Sequence, residues 1–468
     1  MLAVPCPTRR RALCALGAAA LSLVSRPVFG GGASAALPWL VRGGRAFVNG
    51  RLELRDVGLD AEGRIVLESL AHAGVVSVLD AASKVVVPGF IDALADRAGG
   101  DSKVYEDHKI ADGVTTALEL HGGVADAGAY HAVEARRPHR VNHGVGAKVM
   151  AVRALRGSIG ERERLIERSL DGGALTVSHS IEYQPIGFAE LAAYGRLAAR
   201  RARPVVLHLR YSSAELELEG VREAVRLARE TGAHVHIAHL NSTGGTFAPE
   251  QALDILRAAR AEGLGLTCCV YPYGYWATYL RSRRFDAGWR TRYGLDYGDL
   301  EVVGTGERLT ERSFWRYRQS GNVIVAVPDG TMDVRRTVDL PLREPFCLVG
   351  SDGGMRRAAG PNTHPRGSGT FATAIRRALD TGLGLEYVLG VLTERPRTLL
   401  GRPLEDRGRL VEGARADLVV FDPQTIRNHA TPARPVMRSE GIDAVFVNGR
   451  LAYRSGVFHE AAGVGIRG

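Results

Sequence analysis

The sequence predicts an α/β protein, a (β/α)8 TIM-like barrel joined to a small β-sandwich formed by the N- and C-terminal segments. Three observations point there. Apolar strands alternate with helical stretches through the middle of the chain, the pattern of a parallel sheet, and its length of roughly 300 residues suits eight strands. Short segments with hairpin turns flank that region at both ends. The polar residues of the middle strands gather at the strand ends, where such barrels assemble their sites. With 468 residues and 45% hydrophobic content, the chain can bury one large core and a smaller second one.

Residues 1–35 have the layout of a signal peptide: the basic start TRRRAL, an apolar run from Ala12 to Val24, then Ala33, Ser34 and Ala35. The run is too short for a permanent membrane anchor. Thr8, Arg9 and Arg10 resemble a twin-arginine signal, and an ordinary secretion signal fits the same layout. Either route gives a mature chain that starts near Ala36, is periplasmic or secreted, and has no membrane segment. Cys14 precedes the apolar run, which excludes a lipoprotein anchor. The formal charge is +10, and loss of Arg9, Arg10, Arg11 and Arg26 with the leader leaves +6. The other basic residues are scattered, so no nucleic-acid partner is expected. Cys6 and Cys14 leave with the leader too, and an odd three cysteines remain. Cys268 and Cys269 are adjacent in LGLTCCVYPY and read as packing residues on opposite faces; without a CxxC pair, a cysteine zinc site is not expected.

Residues 36–86 form the N-terminal part of the sandwich: short apolar segments such as AFVNGRL and GRIVLESL, with Asn49-Gly50 as a hairpin turn. Residues 87–402 form the barrel. The run VVVPGFIDALAD opens it, and VTTALELH, RPVVLHLR, AHVHIAHLN, GLGLTCCVYPY, NVIVAVPD and PFCLVGSDGG read as further strands. SAELELEGVREAVRLARETG and APEQALDILRAARAEG are helical between them. An open doubly wound sheet is the alternative, but no glycine-rich phosphate loop follows an early strand. Residues 403–468 return to the sandwich style, with Asn448-Gly449 repeating the hairpin turn.

Strand periodicity puts Thr115, Ala117, Glu119 and His121 on one face, expected to be the barrel interior. His208, with Arg210 on the same face, and His239 lie at two further strand ends. Neutral imidazoles from separate strands suit a zinc ion, with a fourth position left for water. Asp352 opens SDGG at the mouth of the last strand. His234 and His236 are expected to pack against a helix, and His143, His179 and His364 to be loop histidines.

PGFID at Pro88, DGVTTALEL at Asp112, HLR at His208, HIAHLNSTG at His236, YPY at Tyr271, GDLEVVGTGERLT at Gly298, SDG at Ser351, HPRGSGTF at His364 and ADLVVFDP at Ala416 carry a family resemblance. Over nearly all of its mature length the chain resembles the amidohydrolase superfamily, and within it the D-aminoacylases and N-acyl-D-glutamate deacylases. The resemblance implies a metal-dependent deacylase of small N-acyl (D-)amino acids, with Asp352 as the base that activates a zinc-bound water and then the acid for the leaving amine. It implies His208 and His239 as metal residues and Tyr183, Tyr273 and Arg366 as substrate-binding residues, with Arg366 preferred over Arg210 as the clamp for the substrate carboxylate. Where the family has paired histidines on the first strand this chain has Leu94 and Asp96, and its ELE run ends in His121. Asp96 and His121 can still serve as ligands, with Glu119 as a ligand or as a partner orienting one, so the set suits one Zn2+ better than two. A non-catalytic binding protein with a degenerate site and a hydrolase of cyclic amides are the alternatives, and a homo-oligomer is compatible with either.

Overall fold

The computed structural model describes residues 36–468 apart from 69, 71–72, 98–101 and 356–361, so the leader assignment lies outside the described residues. Eight strands form one sheet in chain order: β1 (Phe90–Asp92), β2 (Val114–Val124), β3 (Asn142–Lys148), β4 (Val177–Ser180), β5 (Val205–His208), β6 (Val235–Ile237), β7 (Leu266–Val270) and β8 (Cys347–Val349). Every neighbouring pair is parallel. Beyond the last strand, Asp352 N–H donates to Leu94 O at 2.8 Å and Ser351 N–H to Asp92 Oδ1 at 3.0 Å, which brings the eighth strand's end against the first's. The interior is filled by Leu94, Leu118, Leu120, Leu175, Val206, Ala238, Cys269 and Leu348, one apolar layer drawn from strands or strand ends around the ring. No helix among the described residues is long and apolar enough to cross a membrane.

Both ends of the chain build the second unit. A seven-stranded sheet joins Arg45–Val48, Arg51–Leu54 and Val85–Pro88 to Leu418–Phe421, Ile442–Val447, Arg450–Arg454 and Val457–Phe458; a four-stranded sheet from Leu37–Asp80 packs on it. Alternation in the central strands divides two cores. Val86, Leu418 and Val420 face the second sheet, while Val85, Val87, Val419 and Phe421 face the barrel. There Phe90 meets Phe421 at 6.3 Å and stacks on Phe371 at 5.7 Å, each fully buried ring worth about 1.5–3 kcal/mol. Both Asn-Gly pairs are two-residue turns with positive φ at each residue, as their composition predicts.

Three expectations are corrected. NVIVAVPD is not a barrel strand: Ile324–Ala326 pairs antiparallel with Ala277–Tyr279 and Glu301–Val302 in an insert between β7 and β8. Its side chains bury among Trp276, Phe285, Trp289 and Phe314, and an apolar run looks the same in either setting. The strands it displaced are β3 and β4, NHGVGAK and VSHS, too polar and glycine-rich to read as buried strands. At Gly144 a Cβ would meet Leu175 Cδ1 at 2.6 Å, so the crowded interior itself demands the glycine. On β2 the faces are the reverse of those expected. Ala117 packs outward and Leu118 and Leu120 point inward, which sends Glu119 outward as well. His234 and His236 both contact Thr267 Oγ1 at 2.9 Å and alternate with the outward Val235 and Ile237, so they face inward rather than toward a helix.

Candidate functional site

Three imidazoles converge at the barrel mouth, each delivered by a local irregularity or a strand end. On β2 the pairing with β3 jumps from Glu119↔Val145 to Val124↔Ala147, leaving extra residues between. The bulge contains Gly123, with φ +102° and a position where a Cβ would lie 2.1 Å from Gly146 O. It lets His121 turn toward the mouth although Leu120 before it already points inward. His208 ends β5. His239 follows β6 with φ +32°, a left-handed conformation rare for a non-glycine residue, its N–H on Cys269 Sγ at 3.3 Å. The ring centroids stand 5.9 Å (His121–His208), 5.4 Å (His121–His239) and 4.7 Å (His208–His239) apart.

One nitrogen from each ring lies within 4.8 Å of the others. His208 Nδ1 is 3.2 Å from His239 Nε2, close to the roughly 3.3 Å expected of two nitrogens on one tetrahedral zinc. Burial, with mutual repulsion of the rings behind it, holds the pKa values of His121 and His239 well below 6.5. Both are therefore neutral and keep a lone pair at physiological pH, the state in which imidazole binds a metal. The donor set fits a zinc ion.

Behind His208 stands Glu182, which the sequence reading did not single out. Its Oε2 is 2.7 Å from His208 Nε2, while Oε1 accepts from Ser212 Oγ and lies 3.7 Å from Arg284 Nε. Burial alone raises the pKa of this carboxyl, but Arg284 and the bonds from His208 and Ser212 outweigh it and hold the value at about 2. The available signal was its position, two residues past the end of β4. A cleft of about 450 Å³ opens on the far side of Glu182, lined also by Arg210, Tyr211, Ser212 and Arg284.

Asp352 also adopts a left-handed conformation, with φ +46°. Its carboxylate is felt by His121, Tyr183 and Tyr271, and its Oδ2 and carbonyl accept from one terminal nitrogen of Arg366 at 3.0 and 2.9 Å. The Arg366 guanidinium lies 3.9 Å over the Tyr271 ring. Its Nε and Nη1 are buried without a hydrogen-bond acceptor among the described residues. Tyr183 tilts against His208 at 4.7 Å and bonds Thr278 Oγ1 at 2.7 Å. Tyr273 packs between Tyr271 and Tyr275 with its hydroxyl 3.4 Å from Asn428 Nδ2.

The other expected residues stand apart. Asp96 is exposed and outside the imidazole group. Leu94 is 1% exposed in the apolar interior. Glu119 accepts the Arg97 N–H at 2.6 Å; burial, then repulsion from Asp96, raises its pKa to about 7, so it braces the loop that carries Asp96. Arg210 is committed to Glu223, at 2.6 and 2.9 Å, and to Ile186 O.

No family model matches the chain. A curated relative, the N-acyl-D-glutamate deacylase of Alcaligenes xylosoxydans xylosoxydans, is 28% identical, over 88% of this chain and 91% of its own length. The crystal structure of the N-acyl-D-glutamate deacylase from Bordetella bronchiseptica, complexed with zinc and a phosphonate mimic of the tetrahedral intermediate, superimposes with a TM-score of 0.77. That likeness has 24% identity and spans 92% of this chain and all of the other. A D-aminoacylase structure, described through one-metal activation and second-metal attenuation at a binuclear centre, superimposes with a TM-score of 0.78 at 22% identity, over 92% of this chain and all of the other.

Proposed function

We propose that this chain, D-aminoacylase-like in sequence and fold and so an amidohydrolase-superfamily protein, hydrolyses the amide bond of N-acyl-D-amino acids at the barrel mouth with one zinc ion. The observation that carries this is the convergence of three imidazoles, two held neutral by burial, beside the carboxylate of Asp352. His121, His208 and His239 would hold the ion, which when bound would supply Lewis acidity and acidify a water. Asp352 takes the proton from the attacking water and returns it to the leaving nitrogen. Its bond from Arg366 and its left-handed backbone fix the carboxylate for both transfers. Arg366 turns its two unbonded nitrogens to the substrate carboxylate, and Tyr183 lies over His208. An acidic substrate side chain is favoured by the relative's named substrate.

Zinc analysis of protein purified without chelator, followed by assay on N-acetyl and N-formyl D- and L-amino acids, tests the proposal. The expected result is one zinc per chain and turnover of D-substrates. The apolar Leu94, which stands where the family carries a histidine, favours a second reading: a non-catalytic binding protein, for which neither metal nor turnover is found. Action outside the cytoplasm rests on the leader layout of residues 1–35, and fractionation of the expressing cell tests it.

A further inference from the structure

We infer that Glu182 is a positioning residue that fixes the tautomer and orientation of His208, and that Arg284 extends this brace to His239, so that the three-imidazole site is held in shape from behind. The inference rests on the metal site proposed above. A neutral imidazole carries one proton, and a carboxylate only accepts. With Glu182 Oε2 at 2.7 Å from His208 Nε2, the geometry assigns a proton on Nε2 to this bond and leaves Nδ1 toward His239 Nε2 at 3.2 Å. Ring and carboxylate are both almost fully buried, with 4% and 7% of their side chains exposed. Glu182 is immobilised in turn. Its second oxygen takes the Ser212 hydroxyl, and Arg284 stands over Trp276 at 5.0 Å while donating to Ser242 O. Ser242 Oγ lies 3.2 Å from His239 Nδ1, the far side of the other buried ring. One chain of contacts therefore runs His208–Glu182–Arg284–Ser242–His239, tying residues from β5, the end of β4, the insert and the turn after β6.

The need for such a brace follows from the segment just past β1. Leu94 contributes no donor there, and a site of three ligands has none to spare when one rotates. A partner that orients a liganding histidine is worth roughly 10- to 100-fold in metal affinity, which sets the expected effect.

Zinc affinity of the full chain, measured by competition with a chromophoric chelator, should fall by that factor in Glu182→Leu and by less in Glu182→Gln, which keeps an acceptor oxygen but loses the charge. Cobalt(II) spectra of the same variants should show altered coordination. In metal-free protein carrying isotope-labelled histidine, NMR should find His208 as the Nε2–H tautomer, and this preference should be lost in Glu182→Leu. Zinc bound by the wild type and by both variants within twofold of one another overturns the inference and leaves the proposed function standing. An Nδ1–H tautomer in the metal-free wild type overturns it independently of any metal. A wild type that binds no zinc overturns the proposed function and this inference together. Should Glu182→Leu fail to fold, Glu182→Gln carries the same comparisons.

Discussion

The two ends of the barrel spend their polar groups in opposite ways. At the floor, Asp417 accepts Asn142 Nδ2 at 3.0 Å, the Asn448 N–H at 2.7 Å and a guanidinium nitrogen of Arg407, while Arg407 also donates to Asn448 Oδ1 at 2.8 Å. Asn448 Nδ2 closes the ring on Asn142 Oδ1 at 2.8 Å. The network stitches β3, the sandwich and the C-terminal tail, and its members satisfy one another. At the mouth, Arg366 keeps two donors without acceptors, two buried histidines are held neutral, and His239 and Asp352 occupy left-handed conformations. A closed network stabilises, whereas open donors and stored strain await a ligand. Polar burial alone therefore does not mark a site; the state of its bonding does.

The sharpest way to break this contrast is Asp352→Asn. Turnover should fall roughly 10²- to 10⁴-fold, since the variant cannot take a proton, while zinc content stays near wild type; steady-state kinetics beside metal analysis decide it. Next comes Asp417→Ala at the floor, which strands the buried Arg407 charge. It should cost about 3–5 kcal/mol in denaturant unfolding, with zinc affinity retained while the protein is folded. A loss of zinc without loss of stability would reverse the roles assigned to the two ends.

Arg366→Gln should raise KM about 10- to 100-fold for a substrate with a free carboxylate, from a charge-assisted bond worth about 1.5–3 kcal/mol, and much less for the corresponding amide. A further test concerns Asp112, which accepts from the Phe371 and Ala372 N–H groups and from Ser439. Burial raises its pKa to about 7 from 3.8, against the opposing pull of those bonds. The folded state therefore holds this proton more tightly than the unfolded chain. Its stabilising contribution is complete below about pH 3.8 and is lost as pH rises to about 7, by at most about 1.4 kcal/mol per pH unit. Urea unfolding across that range should show the slope in the wild type and its reduction in Asp112→Asn.

Much of this site was legible before the fold. His208, His239 and Asp352 follow apolar runs of the length of a strand, and the words that carry the family resemblance around them point to a mouth. His121 stands at the mouth for a reason other than strand alternation. Simple alternation put it on the face of Glu119, but it reaches the mouth only through the bulge at Gly123, after the alternation has reversed. Arg210 illustrates the converse. Its type and spacing suit a carboxylate clamp, yet Glu223 lies within reach and takes the guanidinium.

What the sequence alone determined is whatever short-range chemistry dictates: the Asn-Gly hairpins, the strand and helix alternation, and the apolar identity of Leu94, which offers no ligand atom just past β1. These depend on φ preferences and side-chain type, which a residue carries wherever it is placed. Only the tertiary structure decided which face of β2 looks inward, that NHGVGAK and VSHS are barrel strands, and that Glu182 stands behind His208. Those outcomes depend on partners 20 to 300 residues away, as Asn142 and Asp417 are, separated by 275 positions and bonded at 3.0 Å. Burial and hydrogen bonding are properties of such pairs, and a pair is defined only once the chain has closed on itself.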